Sequence, residues 1–148
     1  MTMPHILSSF DNALDDLTDR VVTMGNDALA MVDRASQAFR GRDASSAREV
    51  VKADLSVDAQ YDSINGAVLE TLSRFQPVAR DLRNVLAIEH IASSLERVAD
   101  HAKSISKRTI ASAAPRSGGA TDDILARLCS AVDSTLKKSL SALETRDA

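Results

Sequence analysis

The chain has 148 residues and a net charge of −3; 44% of its residues are hydrophobic and only 3% are aromatic. This length suits one domain of ordinary size, and the slightly acidic balance excludes a strong basic field for nucleic acid. Few aromatic residues, five glycines and three prolines disfavour a sheet and favour closely packed helices. The single cysteine, the absence of a signal-like N-terminus and the absence of an apolar run of about 18 residues predict a cytoplasmic protein.

Three heptad patterns predict an antiparallel three-helix bundle, with spectrin-like up-down packing, over residues 1–112. The first helix is predicted from about Ser8 to Arg40, with Gly41 as its C-cap. Asp43 is predicted to cap the second helix, which ends before Pro77. The third helix is predicted to start at Pro77 or Val78 and to fade near residue 112. The sequence therefore predicts an all-α fold, with the core along three long seams.

A fourth helix is predicted over residues 121–148, after a linker at 113–120 that contains one proline and two glycines. Thr121 is its expected cap. Its apolar register matches that of the first helix, so that Leu128 corresponds to Met24. This match predicts the first helix of an incomplete second repeat. A four-helix domain with a chance match of register is the alternative.

Two pairs of carboxylates stand out on the second and third helices: Asp54 with Asp58, and Glu96 with Asp100. Side chains four residues apart share a helix face, where like charges repel by a few tenths of a kcal/mol. A bound cation would remove that repulsion, and oxygen ligands suit magnesium, manganese, iron or calcium. Asp54 falls in the apolar seam, where an unpaired carboxylate would be costly. The alternative is a solvated polar face whose charge is balanced by Arg97, Lys103 and Lys107.

Features of an active site are scarce in the sequence. It has no glycine-rich phosphate loop, no nucleophile elbow and no zinc-type spacing of cysteine and histidine. Cys129 is interpreted as a small apolar core residue. A ferritin-like di-metal oxidase would need Glu-x-x-His on two helices, and neither Glu89 nor Glu96 has a histidine three residues later. We therefore expect no catalysis.

Two motifs make the sequence resemble the PhoU family. They are the segment 76–83, which reads QPVARDLR, and the segment 95–102, which reads LERVADHA and contains an E(D)xxxD pattern. Met24-Gly25 in the first helix and the acidic segment 54–58 in the second agree with the same family. The resemblance covers about residues 5–110, with residues 121–148 as the start of a second repeat.

The resemblance implies two tandem three-helix bundles, and metal clusters held at the E(D)xxxD motifs. Glu96 and Asp100 map onto that motif, and Asp54 and Asp58 match acidic positions of the neighbouring helix. The metal is expected to be iron, with manganese or magnesium as alternatives. The family's role is negative regulation of phosphate uptake. The implied partners are the ATPase of the phosphate ABC transporter and a phosphate-sensing histidine kinase at the inner face of the membrane.

Two departures from the family pattern qualify these expectations. Ala99 stands where the family usually has glycine, and the rest of a second repeat is missing. At most one metal site is therefore expected. The fourth helix would lack two of its partners, so we expect a homodimer or higher oligomer through its apolar face. A structural helical-bundle adaptor without metal remains an alternative function, and a carboxylate-bridged metalloenzyme is a third.

Overall fold

A computed structural model describes residues 3–112 and 120–145, which form four α-helices and no strand. Helix α1 spans Met3–Gly41, α2 spans Ala44–Phe75, α3 spans Ala79–Ala111 and α4 spans Ala120–Thr145. The predicted all-α fold is therefore confirmed. The predicted linker at 113–120 lies outside the described residues except for Ala120, which is already helical. No described helix combines the length and the apolar character needed to cross a membrane.

Two capping residues were predicted at the turn between α1 and α2, and the structure confirms one of them. The Asp43 carboxylate accepts hydrogen bonds from the backbone N–H groups of Ser45 and Ser46, at 2.9 and 3.1 Å. This confirms Asp43 as the N-cap of α2. Gly41, however, is the last helical residue, and the left-handed position belongs to Arg42, with φ of 55°. The chain therefore reverses one residue later than Gly41 predicted.

The turn between α2 and α3 is set by Pro77. Helix α2 ends at Phe75, and Gln76 adopts the left-handed conformation, with φ of 46°. A residue before proline is disfavoured in the right-handed helical region, which explains this exit. Val78 keeps an extended backbone and serves as the N-cap, so α3 begins at Ala79 rather than at Pro77 or Val78 as predicted.

The core lies along the seams of α1, α2 and α3, as the heptad patterns predict. Alanines with no exposed surface, such as Ala28 and Ala92, let the helices approach closely. Larger side chains such as Val57 and Ile64 are also fully buried, and each contributes roughly 1.5–3 kcal/mol. The rings of Phe10 and Phe75 meet edge to face, 5.6 Å apart. This contact joins the start of α1 to the end of α2, so the two helices are antiparallel.

Helix α4 packs against α1. Leu140 is its buried anchor, and Leu136 and Leu143 are partly buried against the same core. The contact depends on Gly25, because a Cβ atom built there would lie only 2.2 Å from Leu140 Cδ2. A glycine notch on α1 therefore seats a leucine of α4.

The N-terminal half of the same face of α4 remains open. Ile124, Leu128 and Val132 are 63%, 58% and 40% exposed. The counterparts of Leu128 and Val132 in the matched register of α1, Met24 and Ala28, are by contrast completely buried. Side chains at these register positions are thus covered by two helices in the first repeat, whereas on α4 they are exposed.

The Gly25 notch can be tested by comparing Gly25→Ala with Gly66→Ala. A Cβ at Gly66 meets nothing within 4 Å, so that variant should gain the roughly 0.5–1 kcal/mol that alanine offers inside a helix. Gly25→Ala should lose this gain, because its methyl group displaces Leu140. Denaturant unfolding measures stability, and amide hydrogen exchange in α4 reports its attachment. Equal stabilisation by both variants, with unchanged exchange in α4, would contradict the notch.

Candidate functional site

Antiparallel packing of α2 on α3 brings all four predicted site residues into one neighbourhood. We call Asp54, Asp58, Glu96 and Asp100 the carboxylate cluster. Asp58 senses the charges of Asp54 and Asp100, and Glu96 senses the charges of the other three. The two pairs, one from each helix, therefore form a single electrostatic unit rather than two separate polar faces.

Asp54 is the most unusual member of the cluster. It is only 1% exposed and occupies the α2 seam between Val50 and Val57. Its Oδ2 forms an ion pair with the ammonium group of Lys103 on α3, whereas its Oδ1 has no hydrogen-bond partner. Burying a carboxylate is tolerated only when a cation or hydrogen bonds compensate it. One oxygen atom of Asp54 is compensated in this way and the other is not.

Lys103 is the functional residue that the sequence pattern did not single out. Its Nζ also lies 3.4 Å from Asp100 Oδ1, so one ammonium group bridges a carboxylate of α2 and a carboxylate of α3. The hydrogen bond to Asp54 raises the pKa of Lys103, which therefore stays protonated. Its position three residues after Asp100 was the available signal, because side chains three apart on a helix are neighbours.

Burial and repulsion within the cluster both raise the pKa values of Glu96 and Asp58. Burial raises the pKa of Glu96, and the charges of Asp100, Asp58 and Asp54 raise it further. Burial also raises the pKa of Asp58, followed by the charge of Asp54, while Lys103 partly offsets both. The ionised forms are therefore disfavoured despite the nearby lysine. An additional cation would stabilise the ionised forms by relieving the repulsion between the carboxylates.

The donor chemistry of the cluster fits a hard metal ion, but its present arrangement does not enclose one. Only carboxylate oxygens converge, which suits magnesium, manganese, iron or calcium, and Asp54 Oδ1 is a buried acceptor without a partner. Yet within residues 3–112 and 120–145, no three carboxylate, imidazole or thiol groups come close enough to hold a metal ion. The cluster therefore has suitable ligands that would have to converge.

The histidines and the cysteine lie apart from the cluster. His90 is exposed and lies 3.4 Å from a carboxylate oxygen of Glu89. His101 and Cys129 line an apolar groove of about 520 Å³ between α1, α3 and α4. Cys129 is half-buried at this groove and is therefore not the core residue that the sequence analysis expected. The side chain of His5 lies outside the described residues.

Taken together, the fold and the site define a helical bundle with an acidic cluster between two of its helices. The family model described as the PhoU domain matches residues 21–109, more than half of the chain. The match includes the whole carboxylate cluster. The chain belongs to the PhoU family, so the resemblance drawn from its motifs is confirmed.

Curated relatives agree with this assignment, and three of them are phosphate-specific transport system accessory protein PhoU homologs. The chain is 36% identical over 107 residues to the homolog of Xylella fastidiosa (strain Temecula1), which covers 72% of this chain and 44% of the relative. It is 37% identical over 111 residues to that of Rhizobium meliloti (strain 1021), covering 75% and 47%. It is 32% identical over 143 residues to that of Caulobacter vibrioides (strain NA1000), covering 97% and 62%.

The chain spans less than two thirds of each of these relatives. The family consists of regulatory accessory proteins and not of enzymes, in agreement with the expectation from the sequence. The relatives themselves are named as accessory proteins of phosphate-specific transport.

Repulsion in the cluster predicts how Glu96→Gln changes stability with pH in metal-free protein. A pKa raised in the folded state means that Glu96 stabilises the fold only when protonated, and that this stability is lost as pH rises through the raised pKa. At pH 7 the variant should therefore be more stable than the parent, by roughly 0.5 kcal/mol. The difference should vanish below about pH 4, near the ordinary pKa of glutamate.

Chemical denaturation in the presence of a chelator, at several pH values, measures this difference. Glu70→Gln, an exposed position on α2, is the control and should follow the parent at every pH. A Glu96→Gln protein that is less stable than the parent at pH 7 would mean that Glu96 makes a favourable interaction as an anion.

Proposed function

We propose that this protein is a negative regulator of phosphate uptake and phosphate-starvation signalling. It acts in the cytoplasm by contact with the ATPase of the phosphate ABC transporter and with a phosphate-sensing histidine kinase. The observation that carries the proposal is the PhoU match over residues 21–109, within which the fold gathers the two carboxylate pairs. The names of its relatives, accessory proteins of phosphate-specific transport, support the transporter as partner.

The second part of the proposal concerns metal. Glu96 and Asp100 from α3, with Asp54 and Asp58 from α2, are the residues that would hold a divalent or trivalent ion, with iron favoured and manganese or magnesium as alternatives. The unpartnered Oδ1 of Asp54 and the raised pKa values of Glu96 and Asp58 support this assignment. A bound ion would supply positive charge that ties α2 to α3.

The competing candidate is a structural adaptor that needs no metal. The observation in its favour is that Lys103 already neutralises part of the cluster. Both candidates share the same bundle, so the fold does not separate them. The response to loss of the carboxylates does.

The proposal is tested with the double variant Glu96→Ala/Asp100→Ala. After exposure to iron, manganese and magnesium, the parent should retain metal by elemental analysis, and the variant should retain less than about a tenth as much, because two ligands are gone. The same samples are then titrated onto the purified transporter ATPase by biolayer interferometry. The regulator hypothesis expects binding by the metal-loaded parent and weaker binding by the variant.

Asp15→Ala/Asp19→Ala is the matched control, since it removes two carboxylates with the same spacing from α1. It should keep both metal and partner binding. Partner binding that is equal in the parent and in the Glu96/Asp100 variant, with no metal in either, would favour the adaptor. A parent that binds neither the ATPase nor the kinase would contradict the regulatory role.

We also propose that the open face of α4 mediates self-association. Leu128 and Val132 are exposed at register positions that two helices cover in the first repeat. They border the apolar groove that also contains Val98 and Ile105 of α3. An apolar helix face paired with a groove of this kind suits the α4 helix of a second copy.

Leu128→Glu/Val132→Glu should therefore convert an oligomer into a monomer, because two charges would be buried at the contact. Sedimentation velocity at tens of micromolar measures the state. The control is Leu69→Glu, which changes an exposed leucine on α2 and should leave the oligomer intact. A parent that is monomeric at these concentrations would contradict self-association.

A further inference from the structure

Lys103 supplies the positive charge nearest to the carboxylate cluster. In the part of the chain that the structure describes, its ammonium group makes the ion pairs of the cluster, one with Asp54 and one with Asp100. These two carboxylates lie on different helices, and both belong to the proposed ligand set. The lysine therefore contacts groups that a metal ion would also need.

The cluster cannot serve the lysine and a metal equally well. A carboxylate in contact with an ammonium group is partly neutralised, and a cation placed beside that ammonium group would be repelled by it. Repulsion between like charges is strongest away from bulk water, and Asp54 is almost completely buried. Metal and lysine should therefore exclude each other.

The geometry of Lys103 allows it to leave. Its side chain is 26% exposed, so the ammonium group lies near the edge of the bundle rather than at its centre. Lysine carries its charge on four flexible methylene groups and keeps that charge in water at little cost. The head group can therefore move from the cluster into solvent while the stem remains packed.

We propose that Lys103 is an internal competitor of the metal: its ammonium group holds Asp54 and Asp100 in the metal-free protein, and a metal ion binds only by displacing it. This inference rests on the metal part of the proposed function. Competition by Lys103 explains why the carboxylates do not converge, since the lysine already contacts two of them. It also provides a signal, because the Lys103 ammonium group is released from Asp54 and Asp100 only when metal is bound.

The test measures the affinity for Mn²⁺, by isothermal titration, of the parent and of Lys103→Met. Methionine keeps much of the length of the side chain and removes its charge, so the variant should bind Mn²⁺ about ten-fold more tightly or better. Lys107→Met, one turn later on α3, is the matched control and should stay within about two-fold of the parent. Lys103→Arg keeps the charge and should not gain affinity.

Three outcomes separate the competitor from the metal site itself. Equal Mn²⁺ affinity in the parent and in Lys103→Met overturns the competitor and leaves the metal site standing. Binding of Mn²⁺ by the variant but not by the parent supports the competitor, and it means that the parent does not carry metal under these conditions. No binding by either protein overturns both.

A second measurement on the parent keeps the inference testable if Lys103→Met does not fold. The rate at which Lys103 is acetylated by an N-hydroxysuccinimide ester is followed by peptide mass spectrometry, with and without Mn²⁺. Release from the two carboxylates should raise the rate several-fold when Mn²⁺ binds, while the rate at Lys107 stays constant. An unchanged rate at Lys103 in Mn²⁺-saturated protein would overturn the inference.

Discussion

The burial of one carboxylate, that of Asp54, constrains the rest of this bundle. It lies among apolar seam residues, where a charge is stable only if another group comes to it, and that group is Lys103 from the neighbouring helix. The ion pair fixes which turn of α2 faces which turn of α3. The same register then places Asp58 beside Glu96 and Asp100. A single buried charge thus brings together the site on which the proposed function depends.

Apolar packing and polar pairs make different contributions to the bundle. The apolar seams bring α1, α2 and α3 close together and supply most of the buried core, while pairing of particular groups adds specificity of register. Polar groups at a few levels supply that specificity, as at the Asp54–Lys103 pair. Farther along the bundle, Gln60 on α2 donates a hydrogen bond to Asp27 on α1, at 2.7 Å.

The sequence predicted the fold well because periodicity is a local property. Seam positions, the Asp43 cap and the end of α2 before Pro77 all follow from neighbouring residues. Predictions were less accurate where tertiary packing or backbone detail decides. The left-handed residue that follows α1, for example, is Arg42 and not the predicted C-cap, Gly41. The meeting of two carboxylate pairs required the register of two helices. Lys103 was grouped with general charge balance because a sequence does not show which carboxylate a long side chain reaches.

Helix α1 is the one helix that packs against all three others in the described chain, with its seam toward α2 and α3 and the Gly25 notch toward α4. The turns of α1 that touch α4 are therefore constrained on two sides. By contrast, α2 leaves Leu55 and Leu69 in solvent, 71% and 66% exposed. Mutational tolerance should follow this asymmetry. In a library of random single substitutions, α1 would accept the narrowest range of amino acids, and the outer surface of α2 would accept the widest.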